Sequence, residues 1–127
     1  MACISFAEPG QTTWFAAKWA FSRFLDDVAA TRPSDPKFVY AIEQAEALFG
    51  LHLDIRQEED PQLAEDLKGA IQRVALKTLS NPDDPELRWK VNLDPDGQRI
   101  YLDGIRKLVE IIESNTKGKV NWKSGVE

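Results

Sequence analysis

Apolar residues recur every three or four positions in four stretches of the chain, which is the spacing of helices with one buried face. Phe38, Ile42 and Ala45 belong to one such stripe. Aspartate followed by proline, as at residues 60–61, is typical of a helix start, because the carboxylate accepts from free backbone N–H groups and proline fits the first turn. The pattern predicts helices at about residues 12–31, 35–49, 61–80 and 103–115.

A different period occupies the segment between the third and fourth predicted helices. From Glu86 to Leu93, apolar and polar residues alternate strictly, as in a strand with one buried face. Turn-forming residues follow at 94–97, so the sequence predicts an antiparallel β-hairpin over about residues 86–102. A shorter alternation predicts a third strand at 51–55.

These elements predict one mostly α-helical α+β domain over residues 1–127, with flexible ends at about residues 1–10 and 116–127. An all-α helical bundle is the alternative, because Asp84 followed by Pro85 is also a favourable helix start.

Aromatic residues crowd near the N-terminus, where five of the twelve in the chain lie between positions 14 and 24. If this segment is helical, most of them face the core, whereas Phe15 and Trp19 form an i, i+4 pair on the polar face. Either a partner or another part of the same chain is expected to cover this pair. Trp122, near the C-terminus, is the internal candidate.

The charge of the chain is uneven. The formal net charge is −5, and all of the excess lies in residues 1–64, which hold five basic and ten acidic side chains. This field disfavours nucleic acid and favours a basic protein partner, although solvated helix faces and acidic helix starts also explain such residues. The acidic residues predicted to contact a partner are Glu43, Glu46, Glu58, Glu59 and Asp60.

Residue counts exclude several kinds of chemistry. Cys3 and His52 are the only cysteine and histidine, so an intramolecular disulfide, a cysteine-rich zinc site and a two-histidine zinc site are impossible. The sequence contains no P-loop, no dinucleotide-binding glycine motif and no nucleophile elbow. We therefore expect no cofactor and no enzymatic activity. The absence of a secretory signal or an apolar span predicts a cytoplasmic protein that does not enter membranes.

One segment approaches the ligand spacing of a calcium-binding loop. Its oxygen-bearing side chains belong to Asn92, Asp94, Asp96 and Asp103. The first of them is neutral, and the last is shorter than the usual bidentate glutamate. A hairpin turn explains the segment with fewer assumptions, so these four residues are weak metal candidates and no metal ligand is assigned.

The sequence thus predicts a non-catalytic cytoplasmic binding protein, such as an immunity protein, antitoxin or inhibitor of a basic protein. Phe15 and Trp19 would anchor the partner, and the acidic residues would form the rim. One alternative is a small metal-dependent enzyme that uses carboxylates, or a calcium-binding protein. The other is a structural homodimer in which Phe15 and Trp19 meet across a symmetric contact.

Overall fold

The computed structural model of the protein describes residues 2–5, 13–47, 52–55 and 59–116. These residues form a mostly helical α+β fold, as predicted, and the all-α alternative is wrong. The elements in chain order are β1 (Ala2–Ser5), β2 (Thr13–Ala16), α1 (Lys18–Ala29), α2 (Pro36–Ala47), β3 (His52–Asp54), α3 (Pro61–Ser80) and α4 (Pro95–Thr116).

The three strands form one sheet in the order β2-β1-β3, with β1 antiparallel to β2 and parallel to β3. The third strand predicted at 51–55 is confirmed as β3. Residues 2–5, which were expected to belong to a flexible end, form the central strand. Ile4 of β1 lies beside Trp14 and Leu53, and all three side chains are buried on the same face of the sheet.

The first helix begins later than predicted. Residues 13–16 pair with β1 instead of forming the first turn of a helix, and α1 starts at Lys18 without a side-chain cap. Hydrogen bonding to a strand elsewhere in the chain outweighs the helical spacing of the apolar residues in this segment. Phe15 is therefore a strand residue, and the predicted helical pair of Phe15 and Trp19 is wrong.

The starts of α2 and α3 are confirmed as predicted. Asp35 accepts a hydrogen bond from the Phe38 amide at 3.3 Å. Asp60 accepts from the amides of Gln62 and Leu63 at 3.0 and 3.3 Å, and proline follows it at the first helical position. Both carboxylates satisfy backbone donors that have no partner within the helix.

The hairpin predicted at about 86–102 is wrong. Residues 81–94 form a series of turns, and α4 occupies the rest of the predicted hairpin. The alternating pattern also fails in burial, since Trp89 is buried whereas Val91 is exposed. Asn92 adopts a left-handed backbone conformation with φ of 58°, which asparagine tolerates better than most residues and which closes the series of turns.

The fourth helix begins at Pro95, about eight residues earlier than predicted. Asp94 accepts a hydrogen bond from the Gly97 amide at 2.7 Å, so the aspartate–proline pair begins α4 as it does α2 and α3. Gly97 suits this position because a Cβ atom there would lie 2.6 Å from Leu93 Cδ1 and 3.1 Å from Asp94 Oδ1.

The core lies between the sheet and the helices, with α3 and α4 packed along each other. Its largest buried side chains are Trp14, Trp89, Tyr101, Phe21, Phe24 and Phe38. No helix in the described part of the chain has both the length and the apolar composition needed to cross a membrane.

Candidate functional site

A groove of about 250 Å³ lies between β2 and the first half of α4. Its lining residues include Trp14, Phe15, Ala17, Ile100, Tyr101 and Gly104. We call it the β2–α4 groove. Neighbouring residues of a strand point to opposite faces of the sheet. Because Trp14 and Phe15 both line the groove, the groove runs along the edge of β2. Among the described strands, that edge of β2 has no neighbour.

Trp14 fixes the two walls of this groove relative to each other. Its indole N–H donates a hydrogen bond to the carbonyl oxygen of Gly104 on α4 at 2.9 Å. Its ring also meets Phe24 of α1 edge-on, with centroids 5.7 Å apart. Because Trp14 is buried, these contacts hold β2, α1 and α4 in one arrangement.

Three apolar side chains are exposed in and beside the groove. Phe15 is 60% exposed, Ile100 is 53% exposed and Trp19 is 38% exposed. Trp19 is partly covered by Tyr101, with ring centroids 6.3 Å apart, and Tyr101 stacks on Trp89 at 4.7 Å. The structure therefore brings Phe15 and Trp19 to one region, although they belong to different elements.

Ile100 and Tyr101 were not predicted as part of a site. The sequence pattern predicts both in the second strand of a hairpin, whereas both belong to α4. With the helix begun at Pro95, Ile100 falls outside the buried stripe that contains Tyr101, Ile105 and Leu108. The aspartate–proline start was the signal in the sequence that would have revealed this exposed isoleucine.

An acidic cluster lies on α1 and α2. We call Asp26, Glu43 and Glu46 the acidic trio. Asp26 follows Trp19 by seven residues on α1 and so lies on the same helix face, about 10 Å along the axis. Its side chain shares a hydrogen bond with that of Glu46 on α2.

The pKa of the Glu46 carboxyl group is raised. Burial of the side chain is the main cause that raises the pKa of Glu46 to about 7, and the charge of Asp26 is the second. The hydrogen bond to Asp26 and the charge of Glu43 act in the same direction. Near neutral pH, protonated Glu46 can therefore donate to the Asp26 carboxylate across the contact between α1 and α2.

The other acidic residues predicted to contact a partner lie elsewhere. Glu59 and Asp60 are at the start of α3, where Asp60 caps the helix and pairs with Lys37 at 3.3 Å. Lys37 and Asp60 line a separate cavity of about 400 Å³, on the flank of α2 opposite the acidic trio. Glu58 lies outside the described residues. The predicted acidic rim is thus divided between two surfaces.

The weak metal candidates are not arranged as a calcium loop. Asn92 lies in a turn, Asp94 caps α4, and Asp96 and Asp103 are within that helix, each paired with an arginine three residues later. A helix from Pro95 onward prevents the segment from wrapping around an ion. Across the described ranges, no three His, Cys, Asp or Glu side chains are grouped as metal ligands.

Two charged residues of α1 bind the backbone of the 81–94 segment, and neither was predicted from the sequence. The Arg23 guanidinium donates to the carbonyl oxygens of Trp89 and Val91 at 2.6 and 2.8 Å. Asp27 is buried and accepts from the Arg88 amide at 2.8 Å. Burial raises the pKa of Asp27, and the backbone amides of Arg88 and Trp89 oppose this shift.

Comparison of the chain with protein-family models, curated proteins and solved structures gives no match. The function is therefore inferred from the chemistry of the β2–α4 groove and the acidic trio. Trp122, which was predicted as a possible cover for Phe15 and Trp19, lies outside the described residues.

Proposed function

We propose that this protein is a non-catalytic binding protein that holds a protein partner at the β2–α4 groove and the acidic trio. The observation that carries this proposal is the clustering of Phe15 and Ile100, both more than half exposed, around an apolar groove. Grouped exposed apolar side chains are typical of interaction surfaces, because isolated soluble domains keep such patches small. Aromatic anchors at the centre of an interface commonly contribute most of its binding energy.

The acidic trio supports a basic partner. Asp26 and Glu43 are exposed carboxylates, and Asp26 lies on the same face of α1 as Trp19. The chain carries a net charge of −5. Charges at the border of an apolar contact raise the association rate and select partners of opposite sign. A cytoplasmic immunity protein, antitoxin or inhibitor of a basic protein combines these properties, and we propose this class by analogy of chemistry.

Affinity capture with matched variants tests the proposal. The full chain is used as bait in a lysate of its native cells, and captured proteins are identified by mass spectrometry and then purified for titration. The double variant Phe15→Ser/Ile100→Ser removes the apolar contact. Tyr40→Ser is the control, because Tyr40 is 61% exposed but lies on the opposite flank of α2, at the separate cavity.

We expect a basic protein that binds the wild type and Tyr40→Ser equally and binds the double variant at least about tenfold more weakly. Asp26→Asn/Glu43→Gln is expected to slow association and to reduce its dependence on salt. A partner that binds all of these variants alike would contradict the proposed surface. If Tyr40→Ser alone abolishes binding of the partner, the binding surface lies on the other flank of α2.

A further inference from the structure

We infer that the edge of β2 that has no neighbour among the described strands receives an extended segment of the partner as an added strand, with the segment lying in the β2–α4 groove. This inference rests on the proposed function and specifies how recognition occurs. Unpaired strand edges are templates for main-chain hydrogen bonds, and several classes of protein bind peptides by adding a strand to a sheet.

The edge of β2 has hydrogen-bonding capacity that the described residues do not use. In an antiparallel pair, alternate residues direct their N–H and C=O groups toward the neighbour, and the others direct them outward. Two of the four residues of β2 therefore offer backbone groups away from β1. Within the described ranges, β2 makes no backbone hydrogen bond outside its pairing with β1.

The shape of the groove favours an isolated strand over a strand that is flanked by further structure of its own. Its far wall is α4, which the hydrogen bond from Trp14 to Gly104 holds close to β2. In a second copy of this chain, β2 is itself flanked by α4, so two copies that paired their β2 edges would bring both α4 helices into the same space. An isolated extended segment brings no second α4 helix with it and so avoids this collision.

The groove also indicates the chemistry of the segment. Its apolar wall, formed in part by Phe15 and Ile100, accepts apolar side chains that alternate along the strand. Lys107 lines the groove, is exposed, and makes no ion pair with any described residue. The nearby carboxylate of Asp103 is already paired with Arg106 at 2.7 Å. We therefore expect an apolar segment that carries one carboxylate positioned for Lys107.

A phage-displayed library of random eight-residue peptides, panned against the full chain, provides the probe. A selected peptide is synthesised with a single N-methyl group at each amide in turn. If the peptide adds to the sheet, methylation at every second position weakens binding about tenfold or more, because it removes a main-chain donor. The intervening positions, whose amides face away from β2, are expected to tolerate methylation.

The protein side of the contact is tested in parallel. Phe15→Ser and Ile100→Ser are expected to weaken peptide binding, whereas Tyr40→Ser is expected to leave it unchanged. Lys107→Gln is expected to remove the preference for a peptide carboxylate. Hydrogen exchange of the complex should show new protection of the β2 amides that point away from β1.

Four outcomes would overturn the inference. Peptides whose binding depends on Phe15 but is insensitive to N-methylation at every position would show an apolar contact without strand addition, and the proposed function would stand. Failure to select any groove-dependent peptide would also refute it. So would peptide binding that appears only after removal of residues 117–127, or a dimer of the full chain that Phe15→Ser dissociates. A captured basic partner that ignores the groove variants would refute the proposed function and, with it, the inference about that partner, whereas the first of these outcomes refutes the inference alone.

Discussion

Glu46→Gln tests the shared hydrogen bond between α1 and α2. The side chain of Glu46 is half-buried next to Asp26, and burial together with that charge raises the pKa of Glu46 from 4.5 to about 7. The folded protein therefore holds a proton that the unfolded chain releases. For a carboxyl group with a raised pKa, the free energy of unfolding falls as pH rises from about 4.5 to about 7 and is constant above that range.

The size of this effect follows from the pKa. A rise from 4.5 to about 7 corresponds to an upper limit of about 3.4 kcal/mol between the two pH extremes. Because Glu46 is only partly buried and both Asp26 and Glu43 are exposed, solvent screening reduces the expected effect to about 1 kcal/mol. Glutamine can donate the same hydrogen bond to Asp26 and does not titrate. The free energy of unfolding of the variant therefore does not fall as Glu46 would lose its proton.

Urea unfolding of wild type and Glu46→Gln at pH 5, 6, 7 and 8 measures the difference. We expect the two proteins to be nearly equal at pH 5 and the variant to be about 1 kcal/mol more stable at pH 8. Glu110→Gln is the control, because it removes the same charge from an exposed position on α4. A difference between wild type and Glu46→Gln that does not change with pH, or a variant that is less stable at pH 8, would refute the reasoning.

Three further substitutions test contacts that stabilise the fold. Trp14→Phe is expected to lower the free energy of unfolding by about 2 kcal/mol in urea titrations, since the bond to Gly104 and part of a buried ring are lost. Arg23→Met is expected to lower it by about 2 kcal/mol and to speed limited proteolysis near residue 90, because two carbonyls lose a charged donor; an unchanged cleavage rate would contradict this. Asp60→Ala is expected to lower Tm by about 3 °C in circular dichroism melts, and Asp60→Asn, which retains a cap, is expected to recover most of that loss.

The sequence predicted structure correctly where the stabilising contacts join residues that are close together in the chain. The starts of α2 and α3 follow from Asp35 and Asp60, whose carboxylates bind amides two or three residues away. Asp94 does the same for α4, so this helix start was also encoded in the sequence. The prediction failed there because turn residues and a strand-like alternation occupied the same segment.

The strand-like alternation at 86–93 shows why period alone does not make a strand. A strand needs a neighbour for its N–H and C=O groups, and the structure supplies side chains instead. Arg23 donates to two carbonyls of the segment, and Asp27 accepts from the Arg88 amide. With its backbone groups satisfied by α1, the segment remains a series of turns.

The sequence by itself determined the fold class, two helix starts and the identity of Phe15 and Trp19 as aromatics without an evident place in the core. Only the tertiary structure decided that Phe15 belongs to an edge strand, that Ile100 joins it across a groove, and that Asp26 meets Glu46. Helix caps depend on residues within one turn, which a sequence displays directly. Strand pairing and contacts between helices depend on residues far apart in the chain, so the surface proposed to bind a partner exists only after they have come together.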